Sequence, residues 1–346
     1  METLNKELDR ELRFMEVCGT HTVAIFQSGL RSLLPEKVVH LSGPGCPVCV
    51  THESEVNAFL DLAERDGVII ATFGDLMRVP GHGGRNLKAA QADGASISVI
   101  YSPFDALKLA ADNPDKKVVF LGVGFETTAP TIAATMIMAR KQGLTNFMVL
   151  PFHKTVPNAL STLLNDASTR IDGFILPGHV STVIGLEPYG FIASDYDRSA
   201  IITGFEPVDI LQSLVDMVRW RNEGIARVTN NYKRAVSDTG NAKAREILYS
   251  VFEPCDALWR GIGLIPGSGL KIRDEWKDMD AIAEYGIEIK EVPPLPGCRC
   301  GEVLKGAISP DQCPLFKKVC TPAKPVGPCM VSTEGSCAAY YKYKVD

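Results

Sequence analysis

The sequence contains no apolar run that approaches the roughly 20 residues needed to cross a bilayer, so we expect no membrane partner. Residues 1–13 are strongly charged and hold no apolar core of a signal peptide. Basic residues are not in excess, because 36 lysines and arginines face 41 aspartates and glutamates, for a net charge of -5. Without a basic field, nucleic acid is not expected as a partner. These absences predict a cytoplasmic protein.

Several motifs of nucleotide-binding proteins and hydrolases are missing too. The glycines at 122 and 124 lack the third glycine of a dinucleotide fingerprint, and the glycines at 81–84 are not followed by Lys-Ser or Lys-Thr. No Gly-x-Ser-x-Gly elbow occurs in the chain. The sequence therefore predicts no nucleotide-binding site.

What the chain does have is ten cysteines among 346 residues, a length that favours two or three domains. In a cytosolic protein, thiols are more often metal ligands or redox groups than structural disulfides. The positions of the cysteines are therefore the main guide to function.

The first two thirds of the chain alternate short apolar runs with helical patterns. Such alternation predicts an α/β fold with parallel sheets covered on both faces. We expect two tandem α/β domains of similar build around a cleft, at 1–115 and 116–235, and a small Cys-rich iron–sulfur domain at 236–346. The runs that predict strands are 13–17, 38–41, 68–73, 97–101, 118–122, 147–150, 173–176 and 200–203.

The two halves look alike at matching positions. The segment 18–22 lies where 124–128 lies in the second half, which fits either a duplication or the general likeness of strand–helix units. In open parallel sheets the reactive loops follow the carboxyl ends of strands. Two sheets placed edge to edge would bring these loops around one cleft.

Cys46 and Cys49 lie on a Gly- and Pro-rich turn between the strand at 38–41 and the predicted helix at 52–65. A helix N-terminus favours the thiolate, which is the form that binds metal or attacks a disulfide. The alternative is a pair of small buried core cysteines. The prolines and glycines of the turn favour a shaped loop instead.

Cys18 and His21 follow the first predicted strand and are expected to face the Cys46 loop. Three thiolates and one histidine could hold Fe(II) or Zn, or Cys46 and Cys49 could cycle between dithiol and disulfide. We therefore consider Cys18, Cys46 and Cys49 as candidate metal ligands.

Three histidines and one glutamate also follow predicted strands: His82, His153, His179 and Glu126. The histidines fit a polar lining of the cleft, for proton transfer or for hydrogen bonds to metal ligands, although loop histidines are often simply exposed. Glu126 could accept a hydrogen bond from a ligand, while the adjacent threonines fit a helix N-terminus. The candidates for catalytic roles are Cys46, Cys49, His21, His179 and Glu126.

The tail holds six cysteines in a segment with little periodic pattern. Four thiolates in a short segment with a poor core need a common staple, either Zn or an iron–sulfur cluster. Structural zinc usually uses close pairs, and their absence among the last four favours a [4Fe–4S] cluster. Cys298 and Cys300 could replace one ligand or act as exchange partners, and Cys255 is expected to be packed. The four expected cluster ligands are Cys313, Cys320, Cys329 and Cys337.

Taken together, these motifs resemble the HypD family of hydrogenase maturation factors, through the segments 18–22, 43–51, 124–128, 177–181 and 313–340. The resemblance implies two α/β domains plus a cluster domain. It also implies a platform on which the Fe(CN)₂CO unit of [NiFe]-hydrogenases is assembled, rather than a conventional turnover enzyme. Iron would be held between the protein and the small chaperone HypC, and cyanide would come from the partner HypE.

The resemblance also assigns roles by matching motifs. Cys18 would hold the iron, and Cys46 and Cys49 would be the redox-active pair beside it. The four cysteines from Cys313 to Cys337 would bind a [4Fe–4S] cluster that exchanges electrons with the pair. Two alternatives remain at this point: a cluster-dependent thiol–disulfide oxidoreductase acting on proteins, and a zinc-stapled interaction module without a redox role.

Overall fold

A computed structural model describes residues 2–167 and 169–344 of the chain. Within these ranges the strands are β1 (Leu12–Glu16), β2 (Val38–Ser42), β3 (Val68–Thr72), β4 (Ile97–Val99), β5 (Lys117–Gly122), β6 (Phe147–Pro151), β7 (Gly173–Leu176), β8 (Ser199–Ile202), β9 (Val228–Asn230), β10 (Phe252–Trp259) and β11 (Gly263–Ile272).

In chain order, the first eight described helices are α1 (Glu2–Glu7), α2 (Gly19–Gln27), α3 (Leu30–Leu33), α4 (Pro47–Val50), α5 (Glu53–Ala63), α6 (Leu87–Ala92), α7 (Asp105–Asp112) and α8 (Ala129–Lys141). Those that follow are α9 (Val156–Asn165), α10 (Gly178–Ile184), α11 (Phe191–Ser194), α12 (Pro207–Asn222), α13 (Ala242–Val251), α14 (Ala281–Tyr285), α15 (Cys300–Leu304) and α16 (Ser336–Tyr343). In the part of the chain that is described, no helix combines the length and apolar character needed to cross a membrane.

Two parallel sheets form the body of the described structure. The first sheet has the strand order β2-β1-β7-β8-β9, and the second has the order β4-β3-β5-β6. The pairs in both sheets run parallel, whereas β10 and β11 form an antiparallel hairpin. The predicted α/β class with two parallel sheets is confirmed.

The two sheets share a core. Side chains on a strand alternate between its two faces, and in β5 Val119 and Leu121 join the shared core while Val118 and Phe120 join a core on the opposite face. In β1, Met15 belongs to the shared core and Phe14 to the outer core of the first sheet. Each sheet is therefore covered on both faces, which explains the nearly continuous apolar character of its strands.

The strand pairing divides the chain differently from the boundary expected at residue 115. The chain leaves the first sheet after β2, builds the whole second sheet from β3 to β6, and returns to add β7, β8 and β9. The expected boundary falls between β4 and β5, which both pair with β3. The alternation of strands and helices along the chain does not specify which strands pair with each other in a parallel sheet. The sequence pattern therefore did not reveal this insertion.

The expected third region, 236–346, also has two parts. Helix α13 and the β10–β11 hairpin pack against the second sheet, where Val251, Phe252 and Leu270 join its outer core. The Cys-rich segment from Cys298 onward has a separate small core that includes Phe316, Met330 and Tyr340. Only this last segment matches the expected Cys-rich module.

Candidate redox and metal-binding site

The Cys18 loop and the Cys46 loop lie side by side because β1 and β2 are neighbours. Past the strand ends, Gly43 N–H donates to the carbonyl of Glu16 at 2.8 Å, and Gly19 N–H donates to the carbonyl of Gly45 at 3.1 Å. A side chain at Gly45 would overlap the backbone of Val17 and Cys18. Glycine at this position therefore lets the two loops touch.

Cys46 and Cys49 are joined in a disulfide, with their Cα atoms 5.2 Å apart. Cys46 is the N-cap of α4, and its Sγ accepts the N–H of Cys49 at 3.3 Å. Both residues are buried in the shared core of the two sheets. A Cys-x-x-Cys pair on one short helical turn has the geometry to cycle between dithiol and disulfide.

Cys18 is a buried free cysteine at the start of α2. Its N–H donates to Glu16 Oε2 at 3.1 Å, and the other oxygen of that carboxylate accepts the Thr22 hydroxyl at 2.6 Å. Burial raises the pKa of the Cys18 thiol to about 12, and the carboxylates of Glu334 and Glu16 act in the same direction. The thiol is therefore protonated at neutral pH, and a metal ion binding there would displace its proton.

Glu334 brings the tail to the Cys18 loop. Thr20 Oγ1 donates to Glu334 Oε1 at 2.9 Å, and a side chain at Gly19 would overlap the backbone and Cβ of Glu334. No sequence pattern assigns Glu334 a role of its own. Its only signal was its place in the tail motif Glu334-Gly335-Ser336-Cys337.

His21 and His179 lie at the carboxyl edge of the first sheet, and both of their rings contact the ring of Phe205. The His21 ring centroid is 4.5 Å from that of Phe205, and the His179 centroid is 4.4 Å from it. His21 is buried, its Nε2 lies 3.1 Å from the carbonyl of Gly204, and burial lowers its pKa to about 4. A neutral His21 that donates through Nε2 keeps an acceptor at Nδ1, which has no partner among the described residues. His179 is exposed.

Glu126 lies beyond β5, at the carboxyl edge of the second sheet. Its Oε1 accepts the N–H of Val156 at 2.9 Å, while its Oε2 is buried and has no partner within the described ranges. Burial raises the pKa of Glu126 to about 7, so the group can take up or release a proton near neutral pH. Burial raises the pKa of Tyr189, and Glu126 and Cys18 add smaller electrostatic contributions to the same effect. Tyr189 therefore lies within electrostatic reach of both, and no sequence signal pointed to it.

The expected histidine lining is only partly present. His153 is buried against Phe252 with a centroid distance of 5.4 Å, and burial lowers its pKa to about 3. His82 is exposed and lines a separate groove of about 1030 Å³ with Pro294 and Pro325. The hairpin that covers His153 and the tail that borders His82 come from distant sequence, so the strand pattern placed both histidines wrongly in a common cleft.

All six tail cysteines line one cavity. Interactions with Cys300 raise the pKa of Cys298, and interactions with Cys300 and Cys337 raise that of Cys329, so these thiols influence one another. Gly327 lies against the Cys298 sulfur, because a Cβ atom added at Gly327 would be only 2.5 Å from that sulfur. The residues around the cavity are Cys298, Cys300, Cys313, Cys320, Cys329 and Cys337, with Val303, Leu315, Phe316, Val326 and Met330 among their apolar neighbours.

The cavity is not arranged as a single-ion site. Over residues 2–167 and 169–344, no group of three or more His, Cys, Asp or Glu side chains could hold a metal ion as it stands. Six soft sulfur donors in an apolar cavity nevertheless have the chemistry that an iron–sulfur cluster takes. The donor set therefore fits a cluster, and Cys298 and Cys300 belong to it as closely as the four expected ligands.

The two sulfur centres are neighbours in the fold. Helix α4 packs on the turn Pro328–Met330, and Cys46, Cys49, Cys300 and Cys329 belong to the same buried core. Fold and site together define a class: an α/β protein with two parallel sheets, a buried Cys-x-x-Cys disulfide beside a single thiol, and a Cys-lined module packed against the disulfide.

Comparison with known proteins supplies the family. A model of HypD, described as the hydrogenase formation hypA family, matches residues 1–344. The hydrogenase maturation factor HypD of Escherichia coli (strain K12) is 46% identical over 344 residues, covering 99% of this chain and 91% of that protein. The HypD of Azotobacter vinelandii is 45% identical over 340 residues, covering 96% of this chain and 90% of that protein. The chain belongs to the HypD family of hydrogenase maturation factors.

Proposed function

We propose that this protein is a scaffold that holds iron together with a HypC-type chaperone while cyanide and CO ligands are attached. The observation that carries the proposal is the backbone contact between the Cys18 loop and the loop that carries the Cys46–Cys49 disulfide, with the Cys-rich tail packed against the same helix. A scaffold of this kind assembles a metal centre rather than turning over a small substrate. We also propose that it works in the cytoplasm.

Iron is the cargo in this proposal, and Cys18 is its ligand from this chain. A soft thiolate suits Fe(II) that carries cyanide and CO, and a single protein ligand leaves positions for a donor from HypC. Because the pKa of Cys18 is raised to about 12, loading of iron releases the thiol proton. Glu126, with its pKa of about 7 and its free Oε2, is the buried group best suited to accept a proton between the sheets.

The tail cavity would hold a [4Fe–4S] cluster through Cys313, Cys320, Cys329 and Cys337, with Cys298 and Cys300 as exchange partners. Such a cluster supplies electrons one at a time in a site shielded from solvent. The Cys46–Cys49 disulfide takes up two electrons and two protons to become a dithiol, and the reverse step returns them. The contact between α4 and the turn Pro328–Met330 supports electron exchange between the two centres.

Cyanide would be delivered by a HypE-type partner to iron at the Cys18 loop. We place the mouth of the site where the Cys18 loop meets Glu334 and where the exposed His179 packs against Phe205. We place the HypC-binding surface beside this mouth because both proteins must reach the same iron. His21, neutral and buried next to this surface, would orient the approach through its free Nδ1.

Infrared spectroscopy of the protein purified anaerobically with HypC tests the proposal. We expect cyanide and CO stretching bands in the complex of the unsubstituted protein. Cys18→Ala should abolish these bands while leaving the visible absorption of the cluster intact, because Cys18 does not line the tail cavity. Cys255→Ala is the matched control, since Cys255 is a free cysteine that lines neither sulfur centre, and it should leave both signals unchanged. Cyanide bands that persist in Cys18→Ala would contradict the role of Cys18.

The disulfide between Cys46 and Cys49 also favours a second candidate, a cluster-dependent thiol–disulfide oxidoreductase that acts on proteins. Such an enzyme would contain the iron and sulfide of one cluster and no further iron. Iron and sulfide analysis of the complex separates the two functions, because the scaffold carries one iron beyond the cluster. Zinc without sulfide would instead select a zinc-stapled module.

A further inference from the structure

Arg260 is a buried cation between the two sulfur centres. It follows β10 in the turn of the hairpin and is 3% exposed. Its Nε donates to the carbonyl of Thr51 at 2.8 Å, and its Nη1 pairs with the carboxylate of Glu53. Its Nη2 has no hydrogen-bond partner among the described residues. Buried donors without partners are costly and rare, so this one requires an explanation.

On one side, Arg260 holds the end of the helix that carries the disulfide. Its backbone N–H donates to the carbonyl of Val50 at 2.9 Å, and Val50 is the last residue of α4. A helix of four residues leaves its last carbonyls without partners of its own. The backbone and side chain of Arg260 supply partners for two consecutive carbonyls, and Thr51 also bridges to Trp259. The Cys46–Cys49 turn is therefore attached to the hairpin through this residue.

On the other side, the hairpin turn touches the helix that begins at Cys300. A side chain at Gly301 would lie 2.5 Å from the Cα of Gly261, so the two backbones are in contact. The hairpin turn that contains Arg260 therefore contacts both the disulfide helix and the Cys300 helix.

We propose that Arg260 is a positioning residue that holds the Cys46–Cys49 turn against the hairpin beside the Cys300 helix and supplies a fixed positive charge next to the disulfide. The proposal rests on the redox role proposed above for Cys46 and Cys49. A thiol formed on reduction carries a negative charge once it gives up its proton, and a buried cation stabilises that thiolate more strongly than a cation in water would. Arginine keeps its proton at any working pH, so the cation is always present, and its effect on the equilibrium grows as the pH rises and more of the dithiol ionises. Arg260 therefore raises the reduction potential of the disulfide.

The test is the thiol–disulfide equilibrium of Cys46 and Cys49 in the full chain, measured in glutathione buffers by acid quenching, alkylation and mass spectrometry. Arg260→Gln removes the charge and should shift the equilibrium at least tenfold toward the disulfide, a change of about 30 mV. Arg260→Lys keeps the charge and should shift it less than about threefold by the same scale. Arg85→Gln is the control, because Arg85 is an exposed arginine paired with Asp61 and Glu64.

Glu53→Gln is an independent test, because the expected shift of the thiol–disulfide equilibrium has the opposite direction. It removes the negative partner of Arg260 but keeps an oxygen that can accept from Nη1, so the equilibrium should shift toward the dithiol, opposite to Arg260→Gln. A purely structural role for Arg260 would not give opposite shifts. Equal shifts in Arg260→Gln and Arg260→Lys, or a shift toward the disulfide in Glu53→Gln, would overturn the proposal. If the unsubstituted protein forms no Cys46–Cys49 disulfide in any buffer, the proposed redox function fails instead.

Discussion

The two sulfur centres of this protein are built by different means. Cys18, Cys46 and Cys49 are placed by β1 and β2, through backbone hydrogen bonds and a glycine contact that leaves no free space. The tail cysteines lie in a segment whose regular structure is limited to α15, α16 and short 3₁₀ turns. The first centre is shaped by the sheet, whereas in the second the cysteines themselves form much of the interior. Small segments with a poor core need such staples.

The tail also packs against helix α2, which begins at the first centre. Phe26 of α2 packs against Tyr340 with a centroid distance of 4.7 Å, and Arg31 donates to the Tyr340 hydroxyl at 2.9 Å. Helix α2 begins directly after Cys18. A change in the tail can therefore reach the Cys18 loop through α2 and through Glu334, while the sheets themselves stay intact.

The largest effect is expected for Cys320→Ala. Cys320 lines the cavity and its Sγ accepts the N–H of Val326 at 3.3 Å, so its loss removes one proposed cluster ligand and one contact of the tail. We expect loss of the brown cluster absorption and much faster hydrogen exchange in residues 313–343, with exchange in β5 and β6 unchanged. The measurement is absorption spectroscopy with hydrogen exchange of the anaerobic protein.

Cys255→Ala should leave both the colour and the exchange of the tail as they are in the unsubstituted protein. A Cys320→Ala protein that keeps its colour would remove Cys320 from the ligand set and favour Cys298 or Cys300 in its place.

A moderate effect is expected for Gly45→Ala at the sheet-built centre. The added methyl group overlaps the backbone of Val17 and Cys18, and overpacking of this kind costs about 1–3 kcal/mol. The free energy of unfolding in urea should fall by that amount, and iron retention with HypC should weaken as the two loops separate. Gly74→Ala is the control, because a side chain there meets only Val99 at 3.8 Å. Equal stability of the two variants would show that the loops are not in close contact.

The smallest effect is expected for Glu334→Gln, which changes only the link between the two centres. The Glu334 carboxylate is the second cause, after burial, of the raised pKa of Cys18. Removing its charge lowers that pKa from about 12, so a larger fraction of Cys18 is thiolate at any lower pH. The alkylation rate of Cys18 between pH 8 and 10 should rise, because the fraction of Cys18 present as thiolate increases about tenfold for each unit that the pKa falls.

Glutamine at 334 still accepts the Thr20 hydroxyl, so the contact between tail and loop should survive. Glu64→Gln, at an exposed carboxylate paired with Arg85, is the control. A slower reaction of Cys18 in Glu334→Gln would mean that Glu334 acts by geometry rather than by charge.

Much of the fold was accessible from local sequence. The apolar runs predicted the strands from β1 to β8, and the turn around Cys46 predicted a strand followed by a helix. Helices α2 and α3 are separated at Gly29, which adopts a left-handed φ of 72°. The short edge strand β9 was missed, since three residues carry little pattern. Strand order was beyond reach, because pairing between parallel strands depends on distant contacts.

The site divides in the same way. Cys18, Cys46 and Cys49 follow neighbouring strands, and the chemistry of the residues was enough to group them. Glu334 raises the pKa of Cys18 from more than 300 residues away along the chain, and Arg260 bonds to the end of the disulfide helix from more than 200 residues away. No spacing rule connects residues so far apart. His153 and His82 were grouped wrongly because the elements that cover them come from other parts of the chain.

By itself the sequence determined the α/β class, the turns that carry the thiols and the membership of the family, because residue chemistry and local periodicity are properties of short segments. Only the tertiary structure decided that the second sheet is inserted into the first, that six rather than four tail cysteines share one cavity, and that Arg260 lies between the two centres. These features depend on which distant surfaces exclude water together, and burial of that kind is decided by the folded chain as a whole.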